Sequence, residues 1–147
     1  MRCLFEETQR FTQWWVWVIL FFSLAPLFYV ETNSLYVKLI AVSLLVFIYI
    51  IKLNVKVDNN GLHYQFFPIH MKYRTIKFEE VIKFEAITYS PIMDYGGWGI
   101  RHRFKSKAYN IKGNRGVKIH LKNGKNILFG SQHPEALAKA LEEIRKQ

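Results

Sequence analysis

Two long apolar segments occupy the first third of the chain. Residues 14–30 contain no charged side chain, and residues 35–51 contain only Lys38. A helix needs about 20 apolar residues, at about 1.5 Å each, to cross roughly 30 Å of hydrocarbon. The pattern therefore predicts two transmembrane helices, at about residues 11–30 and 34–51.

The two predicted helices form a hairpin, because only a short polar link, Glu31–Ser34, separates them. Residues 1–51 are accordingly assigned to a membrane hairpin, and residues 52–147 to a cytosolic domain. Tryptophan, tyrosine and lysine side chains favour the interface between lipid and water. Such side chains stand near the ends of the two helices, at Trp14, Trp15, Trp17, Tyr29, Tyr36, Tyr49 and Lys52.

A cleaved signal peptide and a buried pair of soluble helices are the alternatives to this hairpin. Residues Met1–Gln13 balance Arg2 and Arg10 against two glutamates and lead to no small-residue cleavage site, unlike a signal peptide. A soluble amphipathic helix shows polar residues at helical spacing, whereas residues 14–30 offer only Ser23. The hydropathy pattern favours the membrane hairpin over both alternatives.

The distribution of charge predicts the orientation of this hairpin. The chain has 21 Lys and Arg against 11 Asp and Glu, a net charge of +10. Three basic and three acidic residues precede residue 52, so the full net charge lies in residues 52–147. Because positive flanks stay in the cytoplasm, we predict a multi-pass protein of the inner (cytoplasmic) membrane, with both termini cytoplasmic. Cys3 is the single cysteine and is then a thiol in a reducing compartment, either inert or lipidated.

From Lys52 onward, apolar and polar residues alternate in short segments, which is typical of β-strands. Asp58–Gly61 and Asn123-Gly124 are turn sequences between such segments, and an Asn-Gly pair favours a hairpin because both residues tolerate positive φ. A final amphipathic helix begins at Pro134. The predicted class is α+β, with an antiparallel β-barrel or sandwich of about seven strands that the C-terminal helix caps.

Three segments occur in a recognisable order along this domain: Tyr73–Val81, Tyr95–Arg101 and Gly124–Glu135. Together with the order of elements, they resemble the bacterial pleckstrin-homology-like (bPH) domains, and in particular membrane proteins that place such a domain after a two-helix hairpin. The resemblance covers nearly the whole chain and implies a PH-like barrel and a membrane location. The first hairpin turn, Asp58–Gly61, lacks the basic residues that bind inositol phosphates in eukaryotic PH domains.

The segment Tyr95–Arg101 is the most distinctive local feature of the sequence. Its glycines, Gly96 and Gly97 among them, permit positive φ and a backbone nest for an anion. Alternatives are a tightly packed turn in which Trp98 fills the open end of the barrel, and a tryptophan at the bilayer interface. The segment lacks the lysine and hydroxyl of a P-loop and the spacing of a dinucleotide fingerprint.

A basic stretch follows this segment. Its positive side chains are Arg101, Arg103, Lys105, Lys107, Lys112 and Arg115. Such a stretch near a membrane attracts anionic lipid headgroups; a merely solvated charged face is the alternative. Binding of single-stranded nucleic acid is a weaker competitor, although the aromatic residues nearby would suit it.

No constellation for catalysis or metal binding is apparent in the sequence. The histidines are His63, His70, His102, His120 and His133, and they lack the spacing of metal ligands. The serines carry no nucleophile motif. We therefore expect no enzyme activity, no cofactor and no metal.

These observations lead to three functional hypotheses. The first, which the pattern favours, is a membrane-anchored binding or scaffold module that docks a protein partner of unknown identity. The second is the sensing of anionic lipid headgroups in the bilayer by the basic face. The third and most remote is an enzyme that uses the Tyr95–Arg101 loop with Asp94 or His102.

Overall fold

The computed structural model describes residues 3–29 and 34–146. They form an α+β fold with one sheet of four strands and one of five. The described residues thus contain nine strands rather than the predicted seven. Alternating apolar residues from Lys52 onward supply all of these strands except the first.

The first sheet is antiparallel, with the order β1-β2-β3-β4. Its strands are β1 (Phe5–Arg10), β2 (Lys52–Asp58), β3 (Gly61–Phe67) and β4 (Arg74–Ile76). β1 pairs with β2 along its whole length, from Phe5 opposite Val57 to Arg10 opposite Lys52. The sequence analysis does not predict β1, because four of its six residues are charged or polar amides and only Phe5 is apolar.

The second sheet has the order β5-β8-β9-β7-β6. Its strands are β5 (Val81–Thr88), β6 (Gly99–Arg103), β7 (Ser106–Asn110), β8 (Arg115–Leu121) and β9 (Asn126–Gly130). The Asn123-Gly124 turn joins β8 to β9 as predicted. β7 and β9 run parallel, so the expectation of a wholly antiparallel domain is wrong for this pair. A 3-10 turn, Phe78–Glu80, precedes β5, and the short helix α4 (Pro91–Tyr95) follows it.

The hydrophobic core lies between the two sheets and is closed by the C-terminal helix α5 (Pro134–Arg145). Inward residues of both sheets are fully buried, for example Val57, Leu62, Ile119 and Phe129. The apolar face of α5 packs on them. A fully buried aliphatic side chain contributes about 1.5–3 kcal/mol, so this core is the main stabilising contact of the fold.

Three helices lie between β1 and β2 in the sequence. They are α1 (Trp14–Leu24), α2 (Pro26–Tyr29) and α3 (Leu35–Ile50). Because Arg10 and Lys52 are paired neighbours, this helical segment leaves the first sheet and returns to it at one point. Large apolar side chains on these helices are exposed, such as Phe22 and Tyr36.

The predicted transmembrane hairpin is not found. Among the described residues, no helix is both long enough and apolar enough to cross a membrane. α1 has 11 residues and α3 has 16, which gives lengths of about 16 and 24 Å against roughly 30 Å of hydrocarbon. Pro26, which lacks a backbone N–H, stands where α1 gives way to α2. The finding overturns the predicted hairpin and, with it, the predicted multi-pass inner-membrane location.

Candidate binding site

The glycine-rich segment begins at the end of α4. Ser90 starts this helix, where its hydroxyl accepts from the Met93 N–H at 3.3 Å and its own N–H donates to Asp94 Oδ2 at 2.8 Å. Gly96 ends the helix in the left-handed conformation, with φ of 71°. A residue without Cβ adopts this conformation at little cost, which explains glycine at that position.

The backbone N–H groups of the three glycines in this segment already have partners. Gly96 N–H donates to Ile92 O at 2.9 Å, and Gly97 N–H donates to Pro91 O at 2.8 Å. Gly99 N–H donates to Asn110 Oδ1 at 2.9 Å. An anion nest needs several backbone N–H groups that point at a common ligand, and these three are committed elsewhere. The geometry is that of a packed turn.

Trp98 links this turn to helix α1. Its indole Nε1 donates to Gly113 O at 3.2 Å, and its ring lies 5.5 Å from that of Trp15. Gln13 adds a second contact, because its Nε2 donates to Ile111 O at 2.9 Å. The tryptophan that sequence analysis placed at the end of a barrel or at a bilayer thus packs between the second sheet and α1.

The other aromatic and lysine residues predicted for a membrane interface have varied surroundings. Trp17 donates to Phe11 O at 3.0 Å and makes an edge contact with Tyr49. Lys52 lies in β2, with Nζ 5.5 Å from the centre of the Phe67 ring. Highly exposed side chains occur at Trp14, Tyr29 and Tyr36.

The basic stretch divides into two groups of cations. Lys112 Nζ donates to Thr12 Oγ1 at 3.0 Å, and Arg115 forms a salt bridge with Glu135 of α5. These two side chains therefore hold distant parts of the chain together. The remaining four cations lie on β6 and β7 and on the turn between them, at Arg101, Arg103, Lys105 and Lys107.

We call Gly99–Asn110 the basic hairpin. Within the described residues, none of its four cations forms a salt bridge with a carboxylate. Arg101 Nε donates to Trp98 O at 3.1 Å, and Arg103 donates to Asp94 O at 2.8 Å. Both contacts orient a guanidinium on a backbone carbonyl and leave its positive charge without a counter-charge.

Phe104 occupies the tip of the basic hairpin, in a turn of two residues with Lys105. Its backbone has φ of 42°, and its side chain is 101% exposed. Among the described residues it alone combines a side chain with a positive φ. Lys105 Nζ lies 5.9 Å from the centre of its ring. A bulky residue in this region of backbone space is strained, and a fully exposed aromatic ring gains nothing from the core.

Two pockets flank the tip of the basic hairpin. The outer pocket, of about 470 Å³, is lined in part by Tyr89, Asp94, Tyr95, Arg103 and Lys118. The inner pocket, of about 380 Å³, lies on the core side and is lined in part by Tyr64, His102, Lys107, Leu121 and Lys125. Both pockets share Phe104, Lys105, Ser106 and Asn126. Asp94 and His102, which the enzyme hypothesis brings together, therefore line different pockets.

A buried histidine, His70, lies close enough to this region for its pKa to be affected by nearby positive charges. His70 is 9% exposed and packs against Tyr64 and Tyr109, and its Nδ1 has no hydrogen-bond partner among the described residues. Burial, followed by the positive charges of Arg74 and Lys107, lowers the pKa of His70. The neutral ring is thereby favoured in the folded protein.

Two other histidines, His63 and His120, make polar contacts within the sheets. Nδ1 of His63 lies 2.7 Å from Thr75 Oγ1, and Nε2 of the same ring lies 2.9 Å from Asp58 Oδ1. His120 lies 3.1 Å from Glu85. In the part of the chain that the structure describes, no group of three His, Cys, Asp or Glu side chains is arranged to hold a metal ion. These contacts join neighbouring strands.

Sequence reasoning found the cations of this site but missed its apolar tip. The sequence predicts two short extended segments within residues 100–111. It does not predict the turn between them, because Arg103-Phe104-Lys105 does not resemble a usual turn sequence. The one available signal was an aromatic residue at the midpoint of a basic run.

Comparison of the chain with protein-family models, curated proteins and solved structures gives no match. The resemblance to bacterial pleckstrin-homology-like domains therefore stays a prediction. The functional argument depends on the geometry of the basic hairpin.

Proposed function

We propose that this protein is a binding module that docks an acidic protein partner on the basic hairpin. The observation that carries the proposal is the fully exposed Phe104 at φ of 42° between Arg103 and Lys105. Because no helix among the described residues can cross a membrane, the proposal does not include a transmembrane anchor.

The position of Phe104 is costly for an isolated protein. A left-handed conformation costs a residue with Cβ about 1–2 kcal/mol, and asparagine or glycine would suit this turn better. Strained residues cluster at functional sites. Aromatic side chains that enter a pocket of the partner are common centres of binding energy at interfaces. Docking of the Phe104 ring accounts for both the strain and the exposure.

The surrounding cations indicate the chemistry of the partner. Elsewhere in the described structure, Lys56, Lys83 and Arg115 each pair with a glutamate of this chain, and other unpaired Lys and Arg side chains occur as well, so the basic hairpin is distinguished by four cations close together beside Phe104. The four cations of the basic hairpin have no such partner. Acidic side chains on another protein would supply the missing counter-charges and speed association at low salt.

The proposal is tested by site-specific photocrosslinking in the native cell. A photoreactive phenylalanine analogue replaces Phe104 in the full chain, and the matched control carries it at Ile82, an exposed apolar residue on β5. We expect a discrete protein adduct from position 104 that position 82 does not give. The adduct is expected to disappear when Arg103 and Lys105 are changed to glutamate.

Two outcomes would contradict docking of an acidic protein. One is the same set of adducts from both positions. The other is an adduct from position 104 that survives the change of both cations to glutamate. In either case the basic hairpin does not select its partner.

Anionic lipid headgroups are a second candidate ligand for the same surface. The specific observation is again Phe104, because an exposed aromatic ring beside Lys105 can enter a lipid interface while the cations contact headgroups. Sedimentation with vesicles of phosphatidylserine and of phosphatidylcholine separates the candidates. Binding to the anionic vesicles that is lost in Phe104→Ser would favour lipid.

A further inference from the structure

We infer that the partner binds as an added β-strand along the open edge of β6. This inference rests on the proposed docking function and specifies its mode. The ligand it predicts is an extended protein segment in which acidic and apolar residues alternate. The argument follows from which backbone groups of β6 point away from the sheet and which side chains flank them.

β6 is the last strand of the second sheet, and its only neighbour there is β7. The turn Phe104–Lys105 has two residues, and Arg103 is paired with Ser106 across it. In such a hairpin the closing pair exchanges both backbone hydrogen bonds, and bonded pairs then alternate along the ladder. Arg103, Arg101 and Gly99 therefore direct their N–H and C=O groups toward β7.

It follows that Ile100 and His102 direct their N–H and C=O groups away from the sheet. The far side of β7 supports this assignment, because Lys105 O accepts from Asn126 N–H at 2.9 Å on the β9 side. No backbone or side-chain group among the described residues bonds to the outward groups of Ile100 and His102. They offer two donors and two acceptors to an incoming strand.

The side chains of β6 specify what that strand carries. Ile100 packs against the core, so His102, two residues on, shares its face, whereas Arg101 and Arg103 lie on the opposite face. An added strand would place alternate side chains beside the two arginines, where acidic residues fit. The residue between them would lie on the face of Ile100, where an apolar residue fits.

The other sheet edges lack this combination. β5 carries Lys83 and Glu85, which neutralise each other in a salt bridge. On β1, Glu6 pairs with Lys56 of the neighbouring strand. β4 has only three residues. Uncompensated positive charge and outward backbone groups coincide at β6, so the occupant is an acidic segment of another protein.

The test uses the full chain and a short fluorescent peptide in which Glu and Val alternate. An isomer of the same composition with contiguous Glu residues is the matched control, since it has the same net charge without the strand pattern. We expect the alternating peptide to bind about tenfold tighter by fluorescence anisotropy. The backbone nitrogens of the peptide form two alternating sets, of which only one faces β6 in an added strand. Methylation of that set is expected to abolish binding, and methylation of the other set is expected to spare it.

A pair of protein variants tests the same backbone contact from the other side. His102→Pro removes the outward N–H without removing a bond to β7, and His102→Ala keeps it. We expect His102→Pro to bind the alternating peptide about tenfold more weakly than His102→Ala. Circular dichroism checks that both variants fold. If His102→Pro does not fold, the methylated peptides test the same backbone contact with the unchanged protein.

The outcomes separate this inference from the function on which it rests. Equal binding of the two isomers, with both lost in Arg103→Glu, would overturn strand addition and leave docking of an acidic partner intact. No binding of either peptide, together with binding of phosphatidylserine vesicles, would overturn both. Equal effects of the two methylation sets would also exclude an added strand.

Discussion

Phe104 carries a conflict between stability and binding at the scale of a single residue. Its backbone is strained, and its fully exposed ring makes no contact with the hydrophobic core. We predict that Phe104→Asn raises the free energy of unfolding by about 1 kcal/mol, because asparagine tolerates the left-handed conformation. Urea denaturation measures this change.

Phe104→Ala is the control for that prediction, since it removes the ring and keeps a Cβ at positive φ. Its stability should stay close to that of the parent protein. Equal stabilisation by alanine and asparagine would mean that exposure of the ring, and not the backbone, is the source of the cost.

His70 gives the molecule a pH dependence that also belongs to one residue. Its pKa is lowered below the ordinary 6.5, mainly by burial. The unfolded chain therefore binds a proton at a higher pH than the folded chain does, so stability falls as the pH drops from about 6.5. We predict that thermal stability decreases as the pH falls from about 7 to about 5, and that His70→Phe flattens this decrease.

The matched control for His70 is His133→Gln, which changes an exposed histidine. It should leave the slope of stability against pH unaltered. A slope that persists in His70→Phe would assign the pH dependence to other groups.

At the scale of elements, the Glu7 carboxylate joins β1 to residues far along the chain, together with Gln9, whose Nε2 donates to Gly130 O at 2.6 Å. Glu7 accepts from Ser131 Oγ at 2.5 Å, from Gln132 N–H at 2.8 Å and from Gln9 Nε2 at 3.0 Å. Hydrogen bonds to a charged group contribute about 1.5–3 kcal/mol each. The contacts hold an edge strand against the loop that precedes α5.

We predict that Glu7→Ala lowers the free energy of unfolding by about 2–3 kcal/mol. Glu6→Ala, at the next position, removes only an exposed salt bridge with Lys56 and should cost less than about 1 kcal/mol. Chemical denaturation of the two variants measures the difference. Similar losses in both would show that Glu7 does not fasten the strand.

Elements with local signals could be predicted from the sequence, and elements fixed by distant contacts could not. The alternating strands after Lys52 and the Asn123-Gly124 turn follow from short-range patterns. β1 does not, because its polar sequence becomes a strand only through pairing with β2. The ends of the helices also escaped prediction, since an apolar run alone does not show where Pro26 interrupts it.

The binding site likewise has features that could be predicted from the sequence and features that could not. The positive stretch was readable from the sequence, but its separation into two groups was not. Lys112 and Arg115 take partners that are 100 and 20 residues away, respectively, at Thr12 and Glu135. The positive φ of Phe104 depends on the two-residue turn that the pairing of β6 with β7 imposes.

At the scale of the whole molecule, the helical segment is an insertion between paired strands. Arg10 and Lys52 lie opposite each other, so a short turn could join β1 to β2 directly. We predict that a variant with such a turn in place of residues 12–50 retains the two-sheet body. Shortening the connection lowers the entropic cost of closing it by about 2 kcal/mol. This gain partly offsets the loss of the contacts that Thr12, Gln13 and Trp15 make with Lys112, Ile111 and Trp98, respectively.

Cooperative thermal unfolding and an unchanged circular dichroism signature of the strands would support that prediction. A chain without a cooperative transition would show instead that the helices are needed to complete the fold. The full chain, measured under the same conditions, is the reference.

The bond between Glu7 and Ser131 also determines when the protein can finish folding during its synthesis. The two residues are separated by 124 positions in the sequence. Ser131 is synthesised 124 residues after Glu7, so β1 must wait for that whole stretch to be translated before this contact can form. A nascent chain arrested before Ser131 therefore lacks this contact, and we expect β1 to be cleaved by proteases more readily in such a chain.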